Sequence, residues 1–117
     1  MKRDLQLYVQ DIWDCIERIN EYTQGLSKDD FFDDSQLQDA VVRRLEVMGE
    51  AVKHIPQRFR SKYPDIPWKE IAGIRDILIH EYFGVNLARI WNVIHQDIPA
   101  VRRGFQQIKN ELSDSGA

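Results

Sequence analysis

The sequence has a single cysteine, Cys15, and therefore cannot form a disulfide bond within the chain. It has no apolar run near the roughly 18 residues that a membrane-spanning helix needs. The basic N-terminal residues 1–4 are not followed by the apolar stretch of a signal peptide. These absences predict a cytoplasmic protein without a membrane partner.

Strand and phosphate-loop signals are also missing. There is no sustained period-two alternation, no Asn-Gly or Asp-Gly turn, no internal repeat and no glycine-rich loop. We therefore expect no cofactor, and no ATP bound by this chain alone. The length of 117 residues, with 43% hydrophobic and 30% charged residues, is typical of one globular domain.

The acidic net charge of −3 hides an uneven distribution. Residues 1–40 contain four Lys and Arg against ten Asp and Glu, whereas residues 41–117 contain twelve against nine. The overall charge argues against a general nucleic-acid-binding protein, but the second part can still attract phosphates. An equally good interpretation is that both charge sets are solvated helix faces.

Helical periodicity covers most of the chain and predicts an all-α fold. Gly25 and residues 27–30 should end the first helix, and Phe31 and Phe32 should anchor the following connection in the core. The second helix should begin near Asp34 or Ser35. The predicted inward residues of these two helices are Leu5, Tyr8, Ile12, Cys15, Ile16, Ile19, Tyr22, Leu37, Ala40, Val41, Leu45, Met48, Val52 and Ile55.

Prolines divide the second half of the chain. Pro56 should break the second helix, Pro67 should start a third, and Pro99 can restart a fourth that begins near Asn86. Short connections favour an up-and-down four-helix bundle with short extra helical segments. We expect one domain over residues 1–112 and a disordered tail over 113–117. The predicted inward residues of these helices are Trp68, Ile71, Ala72, Leu78, Ile79, Leu87, Ile90, Trp91, Ile94, Val101, Phe105, Ile108 and Leu112.

The window 73–83 holds the residues best suited to chemistry: Arg75, Asp76, His80 and Tyr82. A histidine can exchange the proton of a ribose 2′-hydroxyl or of a leaving oxygen, and an arginine can hold phosphate oxygens. Asp76 could fix either side chain, and Tyr82 could bind phosphate, stack on a base or be modified. On one helix Arg75 and His80 lie about 140° apart. Long side chains, a loosened last turn or a second copy of the helix could bring them together. The competing interpretation is a surface arginine, a capping histidine and a half-buried tyrosine.

Three other groups of residues are weaker candidates. Glu50 and His54 share a helix face as metal ligands can, but no second cluster completes a site, so no metal is predicted. Cys15 lies on an apolar stripe and is a core residue rather than a nucleophile. A basic run could guide RNA or be a solvated face, and it consists of Lys53, His54, Arg58, Arg60 and Lys62.

The spacing of Arg75, His80 and Tyr82, with an acidic residue after the arginine, resembles the signature of HEPN-domain ribonucleases. The flanking sequence is similar to the HepT-like toxin family over nearly the whole chain. The similar segments are Gly49-Glu50-Ala51, Tyr63-Pro64-Asp65-Ile66-Pro67-Trp68, and Tyr82-Phe83-Gly84-Val85-Asn86 followed by Trp91 and Pro99. Asn86 stands where aspartate is common in that family.

This resemblance implies a HEPN-type helical bundle that forms a homodimer, with Arg75 and His80 of both copies at a shared cleft. It implies a metal-independent endoribonuclease toxin acting on RNA. It also implies an MntA-type minimal nucleotidyltransferase antitoxin that transfers AMP to Tyr82. Two alternatives remain: a non-catalytic RNA- or protein-binding module that works with a nucleotidyltransferase, and a structural helical adaptor.

Overall fold

Four long helical segments and two short helices make up the described part of the chain. The computed structural model describes the backbone of residues 2–80 and 86–115, and the side chains of residues 5–74 and 86–113. The helices are α1 (Lys2–Thr23), α2 (Lys28–Phe32), α3 (Ser35–Lys53), α4 (Gln57–Arg60), α5 (Trp68–His80), α6 (Leu87–Asn92), a π-helical turn (Val93–Asp97) and α7 (Ile98–Ser115). These ranges contain no strand, and the predicted all-α bundle is confirmed.

Helix α1 runs antiparallel to both of its long neighbours. The ring of Tyr8, near the start of α1, stacks on His54 at the end of α3. On the other side, Glu17 accepts a hydrogen bond from the Arg102 Nε at 2.9 Å. Two turns nearer the start of α1, the Gln10 side chain accepts a hydrogen bond from the Lys109 Nζ at 2.9 Å. These contacts show that the long helices on both sides of α1 run in the opposite direction to it, as an up-and-down bundle requires.

The connection after α1 is more ordered than a simple stop signal. Gly25 adopts a positive φ of 74°, which glycine reaches without steric cost. Ser27 then caps a short helix, because its hydroxyl accepts from the Asp30 amide while the Asp30 carboxylate accepts from the Ser27 amide. The sequence was therefore right about where α1 ends, and the connection that it predicted there contains the short helix α2.

Only one of the two adjacent phenylalanines is in the core. Phe31 is fully buried and packs its ring 5.7 Å from that of Trp91. Phe32 is 37% exposed, with the Lys28 ammonium 5.6 Å from its ring, so the prediction that it anchors the core is wrong. Consecutive residues of a helix point about 100° apart, so a short helix lying on the bundle can bury one of them but not both.

The predicted helix starts agree with the structure. The Asp34 side chain accepts from the Leu37 amide at the start of α3, and Asn86 does the same for Arg89 at the start of α6. Helix α3 ends at Lys53, and Pro56 precedes α4. Buried Gly49 lies within α3, as expected for a glycine with a packing role.

Tryptophan and isoleucine side chains hold the start of α5 on the bundle. The Trp68 indole donates to the Tyr63 carbonyl at 2.9 Å, and its ring meets Phe105 at 5.4 Å. Ile71 and Ile74, which follow Trp68 by about one and two turns of α5, are also buried. Trp68 and Ile71 were predicted to face inward, Ile74 was not, and the side chains of Leu78 and Ile79 lie outside the described residues.

The last helical region is continuous from Leu87 to Ser115, but its backbone changes pattern in the middle. The Ile98 amide donates to the Val93 carbonyl, five residues back, immediately before Pro99. Pro99 has no amide proton and its ring crowds the preceding turn, so a wider turn accommodates it. The helix also extends three residues into the segment 113–117, for which a tail was expected.

The core runs through all four long segments. Its largest fully buried side chains include Ile12, Ile16, Phe31, Leu45, Met48, Ile71, Ile98, Phe105 and Ile108. Val9 also belongs to it, although the sequence stripe omitted that residue. Among the helices in the described ranges, none combines the length and apolar character that crossing a membrane requires.

Candidate ribonuclease site

Helix α5 carries three of the four motif residues in its last two turns. The backbone of Arg75, Asp76 and His80 is α-helical. Their side chains lie outside the described residues, as does the whole of Tyr82. The helical backbone places the Cα atoms of Arg75 and His80 about 140° apart around the axis. The backbone between these two positions is therefore not loosened, and the last turn before Gly84 lies outside the described residues.

The first two turns of α5 show which side of that helix packs on the bundle. Ile71 and Ile74 are buried, whereas Lys69 and Glu70 are exposed. Half-buried Gly73 falls between Lys69 and Glu70 around the helix, on the exposed side, and a Cβ added to it would meet no described atom within 4 Å. The described part of the chain thus leaves one side of α5 uncovered. Position 80 follows Gly73 by seven residues and lies on nearly the same row.

The predicted basic run does not form one surface. The Arg60 Nε donates to the Ile55 carbonyl at 2.9 Å, and Arg60 lines a groove beside Lys69. Lys62 lines a different groove, together with Arg103 of α7. Arg60 therefore shares a groove with Lys69 of α5, whereas Lys62 shares one with Arg103 of α7.

Lys53 and Arg58 lie outside both grooves and are exposed, at the end of α3 and on α4 respectively. Lys69 was missed because it belongs to another helix than the run. The sequence did contain one indication. Lys69 follows the inward-facing Trp68 and should therefore lie on the solvent side of the predicted third helix.

A third groove, between α1 and α3, contains the Glu50 and His54 pair. The His54 Nε2 lies 3.7 Å from a Glu50 carboxylate oxygen, and the imidazole lies flat on the Tyr8 ring. Asp11 and Glu46 also line this groove. Within the described ranges, no three His, Cys, Asp or Glu side chains are grouped as a metal site requires. His54 is thus held by an aromatic stack and a carboxylate contact.

The cysteine belongs to the core. Cys15 is 1% exposed, and burial raises the pKa of its thiol. A buried, protonated thiol is a poor nucleophile, which agrees with the sequence-based interpretation.

Two other titrating groups have shifted pKa values at helix contacts. Burial, and then the charge of Glu70, raises the pKa of the Asp97 carboxyl in the π-helical turn. Burial and a hydrogen bond donated to Glu111 raise the pKa of Tyr63 to about 12. The carboxylates of Asp97 in the π-helical turn and Glu70 in the first turn of α5 therefore repel each other.

Comparison with known proteins identifies the family. The family model described as Ribonuclease HepT-like matches residues 12–108. The chain is 49% identical over 96% of its length to a Methanocaldococcus jannaschii protein named "Gamma-glutamylcyclotransferase and putative RNase", of which it spans about half (50%). It is 43% identical over 93% of its length to "Probable ribonuclease HepT" of Thermococcus cleftensis, of which it covers 99%. It is 48% identical over 86% of its length to a "Putative RNase" of Caldanaerobacter subterraneus, of which it covers 90%.

No solved structure matches the chain. The family model and the relatives cover both the helical bundle and the motif segment on α5. The chain belongs to the HepT-like ribonuclease family.

Proposed function

We propose that this chain is a metal-independent endoribonuclease toxin, with Arg75 and His80 as its catalytic pair and Asp76 in support. The observation that carries the proposal is the spacing of Arg75, His80 and Tyr82 on and after α5, in a chain of a ribonuclease family. The proposed unit of activity is the single domain of residues 1–112, acting on cytoplasmic RNA.

The proposed reaction needs only proton transfer and charge stabilisation. His80 takes the proton of a ribose 2′-hydroxyl, whose oxygen forms a bond to the adjacent phosphorus while the bond from phosphorus to the 5′ oxygen breaks. The leaving 5′ oxygen receives a proton from His80 of the second copy in the proposed dimer. Arg75 neutralises the phosphate oxygens as charge develops on them. Exposed Lys53, Arg58 and Lys62, together with partly buried Arg60, would guide the RNA by attraction to its phosphates.

A homodimer is proposed as the active form. The angular separation of positions 75 and 80 on α5 means that one helix does not readily aim both residues at one phosphate. The open side of Gly73 supports this arrangement, because a second copy could approach the α5 backbone there. Two copies of α5 would then place an arginine and a histidine from different chains at the same cleft.

The proposed regulator is an MntA-type minimal nucleotidyltransferase antitoxin, which transfers AMP to Tyr82. In that transfer the Tyr82 oxygen bonds to the α-phosphorus of ATP and pyrophosphate leaves. The added phosphate beside Arg75 would occupy the anion-binding position and repel the RNA backbone. The resemblance of the segments around Tyr82 to the toxin family supports this part of the proposal.

Cleavage of RNA in EDTA by the purified protein tests the proposal. His80→Ala and Arg75→Ala should each abolish cleavage while leaving the helical circular dichroism spectrum unchanged. His54→Ala is the matched control, because His54 is a half-exposed histidine away from the motif. Full activity of the His80→Ala and Arg75→Ala proteins would refute the assignment.

The alternative function is a non-catalytic module that binds RNA or protein and works with a nucleotidyltransferase. It predicts RNA binding without cleavage under every condition. It also predicts that Arg75→Ala weakens binding and that His80→Ala has no effect on it.

A further inference from the structure

A groove of about 590 Å³ lies between α4 and the first two turns of α5. Residues from both helices line it, with Gln57, Arg60 and Ser61 on one side and Trp68, Lys69 and Ala72 on the other. Its lining surface is mostly apolar. The groove therefore presents two cations beside a surface over which a flexible polymer could lie.

The charge of this groove is opposite to that of the chain. Among the described residues, Arg60 and Lys69 are the charged ones that line it. The groove between α1 and α3 has the reverse character, with Asp11, Glu46 and Glu50 against one arginine. In a protein of net charge −3, two cations and no carboxylate among the described lining residues favour a polyanion as the occupant.

Arg60 is held in a fixed orientation. Its Nε donates to the Ile55 carbonyl at 2.9 Å, which uses one of the five N–H donors of a guanidinium. The remaining donors are on the two terminal nitrogens. An arginine restrained in this way loses less conformational entropy when it binds a phosphate.

The groove and the motif residues Arg75, Asp76 and His80 share helix α5. Lys69 precedes Arg75 by six residues, which is about 9 Å along a helix axis. Ala72 precedes Asp76 by one turn and lies on the same row of the helix. Positions 69 and 75 are about 120° apart around the axis, so a strand that extends from Arg75 into the groove would cross α5 obliquely.

We propose that the groove between α4 and α5 binds the sugar-phosphate backbone of RNA next to the cleaved bond, with Arg60 and Lys69 as phosphate contacts. The inference rests on the proposed ribonuclease function and adds a substrate-binding surface to it. The contacts are to the backbone, so they carry no base preference. They should matter only for substrates long enough to extend beyond the cleaved linkage.

The test compares Lys69→Gln with Lys28→Gln. Both remove one exposed lysine, but Lys28 lies on α2, away from the groove. RNA binding is measured with the His80→Ala protein and a 20-nucleotide single-stranded RNA over a range of salt. Loss of one phosphate contact should reduce the slope of log Kd against log salt by about 0.7 for Lys69→Gln, and Lys28→Gln should leave it unchanged.

Cleavage provides the second measurement. Lys69→Gln should lower kcat/KM for the 20-nucleotide RNA and leave kcat/KM for a dinucleotide unchanged. An unaltered salt slope for Lys69→Gln would overturn the groove assignment, even if the wild-type protein cuts RNA. If Lys69→Gln turns the dimer into a monomer while RNA binding stays unchanged, the groove assignment is overturned, and the groove is instead part of a protein interface. Absence of cleavage by the wild type with an altered binding slope would refute the nuclease and leave the groove standing.

Discussion

Gly104 of α7 lies directly against the side chain of Ile66, in the connection that precedes α5. A Cβ added to Gly104 would overlap the Cγ1 and Cδ1 atoms of Ile66, which is itself buried. This contact fixes the start of α5 against the last helix, close to the groove lined by Lys62 and Arg103. The glycine is thus required by packing, although it costs helix stability.

Gly104→Ala should lower the free energy of unfolding by about 1–3 kcal/mol, the usual cost of overpacking a core. Urea denaturation followed by circular dichroism measures it. Gly73→Ala is the matched control within another helix, because its Cβ meets no described atom and alanine favours a helix by about 1 kcal/mol. In an Ile66→Ala background the cost of Gly104→Ala should shrink, and equal costs in both backgrounds would rule out the contact as its cause.

Gly73→Leu should separate folding from assembly. The side of α5 at Gly73 is open in the described part of the chain, so a leucine there should change the free energy of unfolding of the monomer little. If a second copy approaches the helix at this point, the larger side chain should reduce both the dimer fraction and RNA cleavage. Analytical ultracentrifugation and a cleavage assay measure the two effects. A fully active Gly73→Leu dimer would contradict the proposed approach.

Asp97→Asn should stabilise the protein at neutral pH. Because burial and Glu70 raise the pKa of Asp97, the folded state favours its protonated form. The stabilising contribution of that protonation is present below the ordinary pKa of 3.8 and is lost as the pH rises through the raised folded value. At pH 7 the charged carboxylate therefore costs stability, which asparagine avoids.

Thermal unfolding between pH 7 and pH 4 checks this expectation. The gain in Tm from Asp97→Asn should shrink as the pH is lowered. Glu70→Gln, which removes the neighbouring charge, should give a smaller gain of the same sign at pH 7. A gain from Asp97→Asn that is constant over this range would show that titration of the carboxyl is not responsible.

Tyr82→Phe should prevent modification by the proposed antitoxin. Incubation of the wild type with the nucleotidyltransferase, ATP and magnesium should raise its mass in AMP-sized steps and reduce RNA cleavage. The Tyr82→Phe protein should retain its original mass. Tyr22→Phe is a useful control, because Tyr22 is a partly buried tyrosine on α1, and it should still permit the mass increase. Modification of the Tyr82→Phe protein would place the acceptor elsewhere.

Sequence patterns predicted the helices well because a helix is signalled by residues that are close together in the chain. The apolar stripe of α1 and the capping residues Asp34 and Asn86 determine which segments are helical and where they begin. Phe32 was misplaced because hydrophobicity alone does not tell which of two adjacent aromatic residues a short helix can bury. The pairing of Arg60 with Lys69 depends on how α4 meets α5, which no local pattern encodes. The roles of Arg75, Asp76, His80 and Tyr82 remain predictions.

The π-helical turn at Val93–Asp97 also bears on how the length of the protein can vary. A turn closed by the Ile98 amide on the Val93 carbonyl holds one residue more than an α-helical turn. Deleting a residue there would restore an ordinary turn, crowded by Pro99 but with the later core residues in register, whereas a deletion inside α7 would rotate every later core residue by about 100°. The last helix thus has one place where its residue count can change while Phe105 and Ile108 stay in the core.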